Sequence, residues 1–394
     1  MIILILASMA LELLLLLVLV VHSRHHVIRS FPGRNPEAPH EDSWPTYPKA
    51  TLIVPLTGNS PEMPPALESL LSQPYPDYET ILVTRDLDDP AVSLVRELLS
   101  RYPRVRHIVS GPATACSQKN HNILAGVRNV SDTAEILVFC DSTHQAPPTF
   151  LRELIRPLVT GKAVITSGFH RIIPGDARIA TLGMLQTVLT IHLLHGFPAI
   201  ALPWGGATAI LRTAFQNYGV AGVLGTNVLD DFPMGQRLLR FGIRSVPVGT
   251  AILNTHLTGQ TWRGWEAWLT RQMLYPKYCL PIVWLGAALA AWVLAGPIFF
   301  AAGACLGGLF GLVAAPLALV SLGFLLALTA LGAWCRTLVP VPVPLVPWLL
   351  AFYANIFMAC RCYLNTWLTD TIAWRGISYR VTWGGRVKEI LREQ

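Results

Sequence analysis

Residues 136–148 read Ile-Leu-Val-Phe-Cys-Asp-Ser-Thr-His-Gln-Ala-Pro-Pro, and this stretch decides the fold. Five apolar residues in a row suit a strand buried on both faces, as inside a parallel sheet. The run stops at Asp141, after which small polar residues and a double proline end the strand. An acidic residue at the carboxyl end of a buried strand stands where open α/β sheets bind their ligands. Taken alone, it reads equally well as a polar residue that ends a strand.

Upstream, residues 50–55 form a second buried run, followed by a helical spacing over 66–72. Residues 78–84 form another strand, ending at Arg85-Asp-Leu-Asp-Asp-Pro90. A helix over 91–101, a strand over 105–109 and a helix over 119–128 lead into the central strand. This β–α alternation predicts a doubly wound α/β sheet. Two strands therefore end in acid on one edge: Asp88 and Asp89 on the first, Asp141 on the second. Asp-Asp-Pro also serves as a helix start, so capping explains the first pair equally well.

Downstream come a strand over 163–168, then Pro203-Trp-Gly-Gly-Ala-Thr208, a glycine turn that lets backbone approach a ligand closely. A helix follows that begins with Asp230 and Asp231. One carboxylate there suits the helix dipole; the second is left over. Strand-like residues over 244–255 lead to His256.

Only 13% of the 394 residues are charged, against a usual share of about 25%. Residues 2–21 are long enough to cross a bilayer, and neither a basic leader region nor a cleavage site marks them as a signal peptide. Glu12 sits within that span and is expected to face protein. His22, Arg24, His25, His26, Arg29 and Arg34 follow, which places the downstream side in the cytoplasm. The seven cysteines show no paired framework, in keeping with a reducing compartment. The net charge of +7 fits an anionic membrane face; no nucleic-acid motif is present.

Residues 180–202 are apolar but broken by Gln186, His192, His195 and Pro198, and read as an interfacial helix. Residues 262–278 interleave basic and aromatic side chains as a membrane interface selects. Spans are expected over 280–302 and 312–334, with a third apolar passage, 337–360, broken by prolines. Three full crossings would put the basic tail on the far face, so one passage is expected not to cross fully.

In order, Asp88-Asp-Pro-Ala, Cys140-Asp-Ser, Asp230-Asp-Phe, the basic and aromatic segment and the tail Trp374-Arg-Gly-Ile-Ser-Tyr-Arg-Val-Thr-Trp-Gly-Gly385 resemble the ceramide glucosyltransferases, family-21 relatives of the processive GT-A enzymes. The resemblance implies an integral, multi-pass membrane protein with its catalytic domain on the cytoplasmic side. Its parts would be an anchor (1–22), a basic, proline-rich linker (23–48), a GT-A nucleotide-sugar domain (49–278), a transmembrane region (279–362) and a basic tail near the active site (363–394).

The implied partners are a UDP-sugar, a ceramide-like lipid acceptor and the bilayer, with a divalent cation, Mg²⁺ or Mn²⁺, as cofactor. The resemblance assigns the donor to Asp88, Asp89, Lys119, Asn122, Asp141, Arg271 and Tyr275, and makes Asp231 the general base, with Asp230 beside it. His192, His195 and Trp268 are candidates for the acceptor.

Two departures stand out. Asp141-Ser-Thr143 keeps one carboxylate for the metal, which makes His256 a candidate to complete the coordination. Arg271-Gln-Met-Leu-Tyr275 lacks the second arginine and the tryptophan of the family motif; Arg375, Tyr379 and Arg380 in the tail are candidates to compensate. The readings weighed against lipid glycosylation are a processive polysaccharide synthase and an inactive membrane protein of the same fold.

Overall fold

The computed structural model describes residues 2–29, 31, 47–199 and 201–392. Arg34 and most of the 23–48 linker lie outside them. In chain order the elements are α1 (Ile2–Ile28), β1 (Ala50–Pro55), α2 (Met63–Leu71), β2 (Tyr78–Thr84), α3 (Ala91–Arg101), β3 (Val105–Val109), α4 (Gln118–Arg128) and β4 (Ile136–Cys140). Next come α5 (Phe150–Val159), β5 (Ile165–Pro174), α6 (Ile179–His195), β6 (Ala207–Leu211), α7 (Arg212–Asn217), α8 (Val220–Leu224), α9 (Asp231–Leu239) and β7 (Val246–Leu257). The chain ends with α10 (Trp262–Cys279), α11 (Pro281–Leu309), α12 (Ala315–Cys335), α13 (Leu345–Asn365), β8 (Thr371–Trp374), β9 (Ile377–Thr382) and β10 (Arg386–Arg392).

Two compact units result. One holds residues 29–172, 195–256 and 370–394; the other holds 1–28, 173–194 and 257–369.

The first unit is built on a seven-stranded sheet in the order β3-β2-β1-β4-β6-β5-β7. β3, β2, β1 and β4 run parallel, which is the α/β, doubly wound arrangement expected from the sequence. The chain winds outward from β1 to β2 and β3, then returns to lay β4 on the other side of β1. The switch point therefore lies between β1 and β4, where such sheets open a crevice at their carboxyl ends. β6 departs from the pattern by pairing antiparallel with β4 and β5. It enters after a long excursion that includes α6, and so comes in from the opposite end of the sheet.

All five residues of β4 are buried, and their side chains alternate between two faces. Ile136, Val138 and Cys140 pack into one core layer with residues of α2, α3 and α5. Leu137 and Phe139 pack into the other, with α4 and α7 to α9. This two-residue period carries Asp141 onto the face of α4.

The tail is not loose chain. β8, β9 and β10 form a three-stranded antiparallel sheet. Tyr379 is buried, and its hydroxyl accepts from the Gln118 amide at 3.0 Å. The Val387 amide donates to the Thr226 carbonyl and the Val228 amide to the Gly385 carbonyl, at 3.0 and 2.9 Å.

In the second unit, four helices are long and apolar enough to cross a membrane: Ile2–Ile28, Pro281–Leu309, Ala315–Leu338 and Leu345–Leu368. α1 packs against α11, α12 and α13 around Met9, Ile298, Ala301, Phe324 and Leu328. The proline run 340–347 does not break the third C-terminal helix. Pro344 immediately precedes it and Pro347 falls in its first turn, where a missing N–H costs nothing. Gln186 on α6 donates to the Trp348 carbonyl at 2.8 Å, and Thr187 to Asn355 at 2.7 Å. Glu266 on α10 accepts from Arg361 and Asn365 on α13 at 2.7 and 2.9 Å.

Candidate active site

The carboxyl ends of the parallel strands are stitched together by Asn122. Its amide nitrogen reaches the carbonyls of Val83 at the end of β2 and Leu56 beyond β1, at 3.1 and 3.5 Å. Its oxygen accepts from Ser110 and Gln118 at 2.7 and 2.8 Å. Buried and fully engaged, Asn122 braces the floor of the crevice. Asp89 does similar work one strand over: its Oδ1 accepts from the amides of Gly58 and Ala91, each at 2.9 Å. It thereby pins the loop after β1 and starts α3. Asp88 is exposed beside it.

The centre of the site is an ammonium among carboxylates. Lys119 Nζ stands 2.8 Å from Asp141 Oδ1 and 3.0 Å from Asp230 Oδ2. Asp231 accepts from the Phe232 amide at 2.7 Å and the Gly205 amide at 3.3 Å. The three acids come from β4 and the start of α9, and Lys119 from α4. The packing needs a glycine at 205, since a Cβ there would lie 2.3 Å from Asp230 Oδ2. The glycine turn thus admits a carboxylate of the chain itself.

Burial alone would raise the Asp141 carboxyl, but the Lys119 ammonium, by charge and hydrogen bond, more than offsets it and holds it below its ordinary value. Lys119 is likewise held charged: burial opposes this, and Asp141 and Asp230 outweigh burial. Asp231 goes the other way. Burial and the neighbouring Asp230 push it up to about 7, against the pull of Lys119. Two carboxyls near one ammonium are thus shifted in opposite directions.

Beyond Asp141 lies a cluster that nothing in the sequence signalled. His144 Nε2 is 3.8 Å from Asp141 Oδ2. His144 Nδ1 and His170 Nδ1 both contact Thr255 Oγ1, at 2.8 and 2.7 Å. The Trp204 ring stacks on His170 at 4.7 Å between centroids. Burial lowers both imidazoles, His170 well below its ordinary value, so both are neutral. One hydroxyl proton cannot serve two acceptors, so at least one ring donates to Thr255. A proton on His144 Nε2 faces the Asp141 carboxylate; Thr255 then donates to His144, and His170 donates to Thr255.

The expected partnership of His256 with Asp141 is not formed. It is exposed, with Nε2 3.0 Å from Gln145 Oε1. Side chains alternate along β7, so Thr255 takes the inward position and His256 turns away. Among the described residues no three His, Cys, Asp or Glu side chains converge as a metal cage. Asp141 Oδ1 is taken by Lys119, which leaves Oδ2 as its oxygen for a cation. That is enough for Mg²⁺ or Mn²⁺, which commonly take one or two carboxylates and fill the rest with substrate phosphates and water.

The remaining sequence candidates are divided between the two units. Trp268, Arg271 and Tyr275 are spaced along one face of α10 in the second unit. His192, also in that unit, is buried edge-on to His26 at 5.3 Å. His195, in the first unit, stacks on Phe169 at 5.3 Å, and Phe169 in turn lies against Trp204 and His170.

The family model for glycosyl transferase family 21 matches residues 5–387. The chain belongs to that family. Over 55 residues it is 34% identical to the ceramide glucosyltransferase of Komagataella phaffii, a match covering 14% of this chain and 11% of that enzyme.

Among solved structures, the mannosyltransferase PcManGT from Pyrobaculum calidifontis, in complex with GDP-Man and Mn²⁺, is 17% identical. It covers 90% of this chain and 99% of that one, with a TM-score of 0.48. Glucosyl-3-phosphoglycerate synthase from Mycobacterium tuberculosis, in complex with phosphoglyceric acid, is 19% identical over 54% of this chain and 71% of that one, with a TM-score of 0.32. At these values neither speaks for the donor, metal or acceptor of this family-21 chain.

Proposed function

We propose that this glycosyltransferase moves a hexose, glucose in the first instance, from a UDP-sugar to the primary hydroxyl of a ceramide-like membrane lipid, with inversion. The observation that carries the reading is a half-buried carboxyl, Asp231, poised near neutrality. It stands in the same cluster as the Lys119–Asp141 pair, at the carboxyl edge of the sheet. The lipid acceptor draws its support from four membrane-length apolar helices and from the name of the short-matching relative. The basic cluster at the end of α1 supports a cytoplasmic catalytic unit.

In this reading the donor lies along the crevice between β1 and β4. Asp89 and Asn122 hold its floor, and Lys119 keeps Asp141 ionised. Asp231 accepts the proton of the lipid hydroxyl as that oxygen bonds to the anomeric carbon. The bond from that carbon to the diphosphate breaks on the opposite face, and UDP departs with the electron pair. A base near pH 7 suits such a transfer, because it is both available and strong enough to take the proton. A divalent cation held by Asp141 Oδ2 would supply charge neutralisation to the departing diphosphate. The neutral His144–Thr255–His170 relay fixes the direction of Asp141 without competing for protons.

The test is purified full-length protein with UDP-glucose, UDP-galactose or GDP-mannose and a panel of lipid alcohols, with and without EDTA. UDP release that depends on the lipid is expected, with a β-glycosyl lipid as product. Release that ignores the lipid, or a product that retains donor configuration, overturns the reading.

A further inference from the structure

Among the described residues one non-glycine position has a positive φ: Arg375, at 51°. Gly376 follows at 74°, and Trp374 pairs with Ile377 across the two. This is a two-residue hairpin of the primed kind, whose first central position is taken without strain by Asn, Asp or Gly. An arginine there adopts a disfavoured backbone for no local gain, the sort of outlier that clusters at ligand sites.

The side chain shows where the gain lies. Arg375 Nη1 comes within 3.7 Å of the position a Cβ on Gly58 would occupy. Gly58 belongs to the loop after β1 that Asp89 pins, on the β1 side of the switch point. Arg375 forms no ion pair with a described residue. The other tail arginines are engaged: Arg380 with Glu389 at 2.7 Å and Asp370 at 3.7 Å, and Arg392 with the Ala113 carbonyl. The hairpin is held in place from below by the buried Tyr379, so its tip is a fixed feature of the unit.

We propose that Arg375 is a donor-binding residue, its guanidinium at the hairpin tip contacting the phosphate oxygens of a nucleoside diphosphate lodged over the Gly58 loop. A planar guanidinium matches a pair of phosphate oxygens and remains charged at all working pH values. The proposal rests on the donor reading above. It assigns the diphosphate clamp to the tail, whereas α10 keeps one arginine of the family motif, Arg271. It also separates the three tail candidates: Tyr379 docks the sheet, Arg380 ties its strands, and Arg375 faces the ligand. The amino end of α4 is not the anion site, because its first amide is taken by Tyr379 and the Asn120 amide by Ser117.

The experiment uses full-length protein in nanodiscs and titrates UDP directly, with uridine measured by competition. Arg375→Asn is the informative variant, since asparagine relieves the turn while removing the charge. Its melting temperature is expected to match or exceed that of the parent, while UDP affinity falls at least about tenfold, the low end for a lost charged hydrogen bond. Uridine affinity should hold, and Arg375→Lys should recover part of the UDP loss. A merely structural role would move stability and both ligands together. UDP affinity within twofold of the parent, or equal losses on UDP and uridine, overturns the proposal and leaves the donor reading standing. A parent protein that binds no nucleoside diphosphate overturns the donor reading and this inference with it.

Discussion

Replacing Asp231 by asparagine should make the protein inactive and, at the same time, more stable in mildly alkaline solution. The Asp231 carboxyl is pushed from 3.8 to about 7. Below pH 3.8 it is neutral in both folded and unfolded chains. Above that value the unfolded chain loses the proton while the folded one keeps it, so stability falls as pH rises and levels off past 7. Carried to pH 8, the penalty is about 4 kcal/mol; at pH 5.5 it is about 2 kcal/mol. Asparagine escapes it at every pH. It keeps one of the two acceptors facing the Gly205 and Phe232 amides, which gives back about 1 kcal/mol.

The variant should therefore gain about 3 kcal/mol at pH 8 and about 1 kcal/mol at pH 5.5. His144 and His170, neutral in the fold, act in the opposite sense below about pH 6.5, so variant and parent must be compared at the same pH, where those contributions cancel. Thermal melts in detergent give the stability arm; lipid-dependent UDP release gives the other, with turnover down at least about a hundredfold. In the parent, kcat/KM should rise with pH through an inflection near 7. A variant less stable than the parent at pH 8, or a gap that does not widen with pH, refutes an Asp231 that ionises near neutrality.

Lys119→Met leaves Asp141 and Asp230 without their ammonium and should cost about 3–5 kcal/mol, the range for breaking a buried pair; melts should recover as pH is lowered and the carboxyls protonate. Gly205→Ala forces a methyl against Asp230 and should lower stability by about 1–3 kcal/mol together with turnover. Gly222→Ala, with open space around its Cβ, serves as the neutral control. Thr255→Val strands an imidazole nitrogen on each side, at about 1–3 kcal/mol for each unsatisfied group, and Thr255→Ser should restore the parent behaviour in melts and turnover.

The strands β1, β2 and β4 were legible because each carries a short apolar run cut off by polar or turn residues, and double-sided burial leaves that pattern little freedom. Asp141 was legible for the same reason, as the first charge after such a run. The reversal of β6 was not, since strand direction depends on what the preceding excursion does and leaves no local trace. His144, His170 and Thr255 escaped because the three meet only when β5 and β7 take their places, 85 and 111 residues from their partners along the chain. His256 drew attention by sitting at a strand end, yet the two-residue period of β7 turns it outward. The glycine turn 203–208 was seen as a place of close approach; that its visitor is Asp230 follows only from the packing of α9.

The tail decides how many apolar helices cross a bilayer. Residues 370–392 hydrogen-bond to positions 113, 118 and 226–228 of the sheet-bearing unit. The chain leaves that unit at 257 and rejoins it at 370. A chain that leaves one side of a bilayer and returns to it must cross an even number of times, whereas α11, α12 and α13 are three. At 1.5 Å per residue, α11 runs about 43 Å and the other two about 31 Å, against a hydrocarbon core of about 30 Å. α13 is the one expected to stop short. It carries Asn355, Arg361 and Asn365, whereas α11 and α12 hold no charged residue and no asparagine. An even count also reconciles the basic tail with the charge rule, which places it on the same face as the basic cluster at the end of α1. Single cysteines at Asp88, Gly311 and Pro342, in a background lacking the seven native ones, can be read with an impermeant maleimide in sealed vesicles of known orientation. Gly311→Cys should report the face opposite to Asp88→Cys, while Pro342→Cys and a C-terminal tag should report the same face. A tag on the far side would refute both the even count and the docking of the tail on α4.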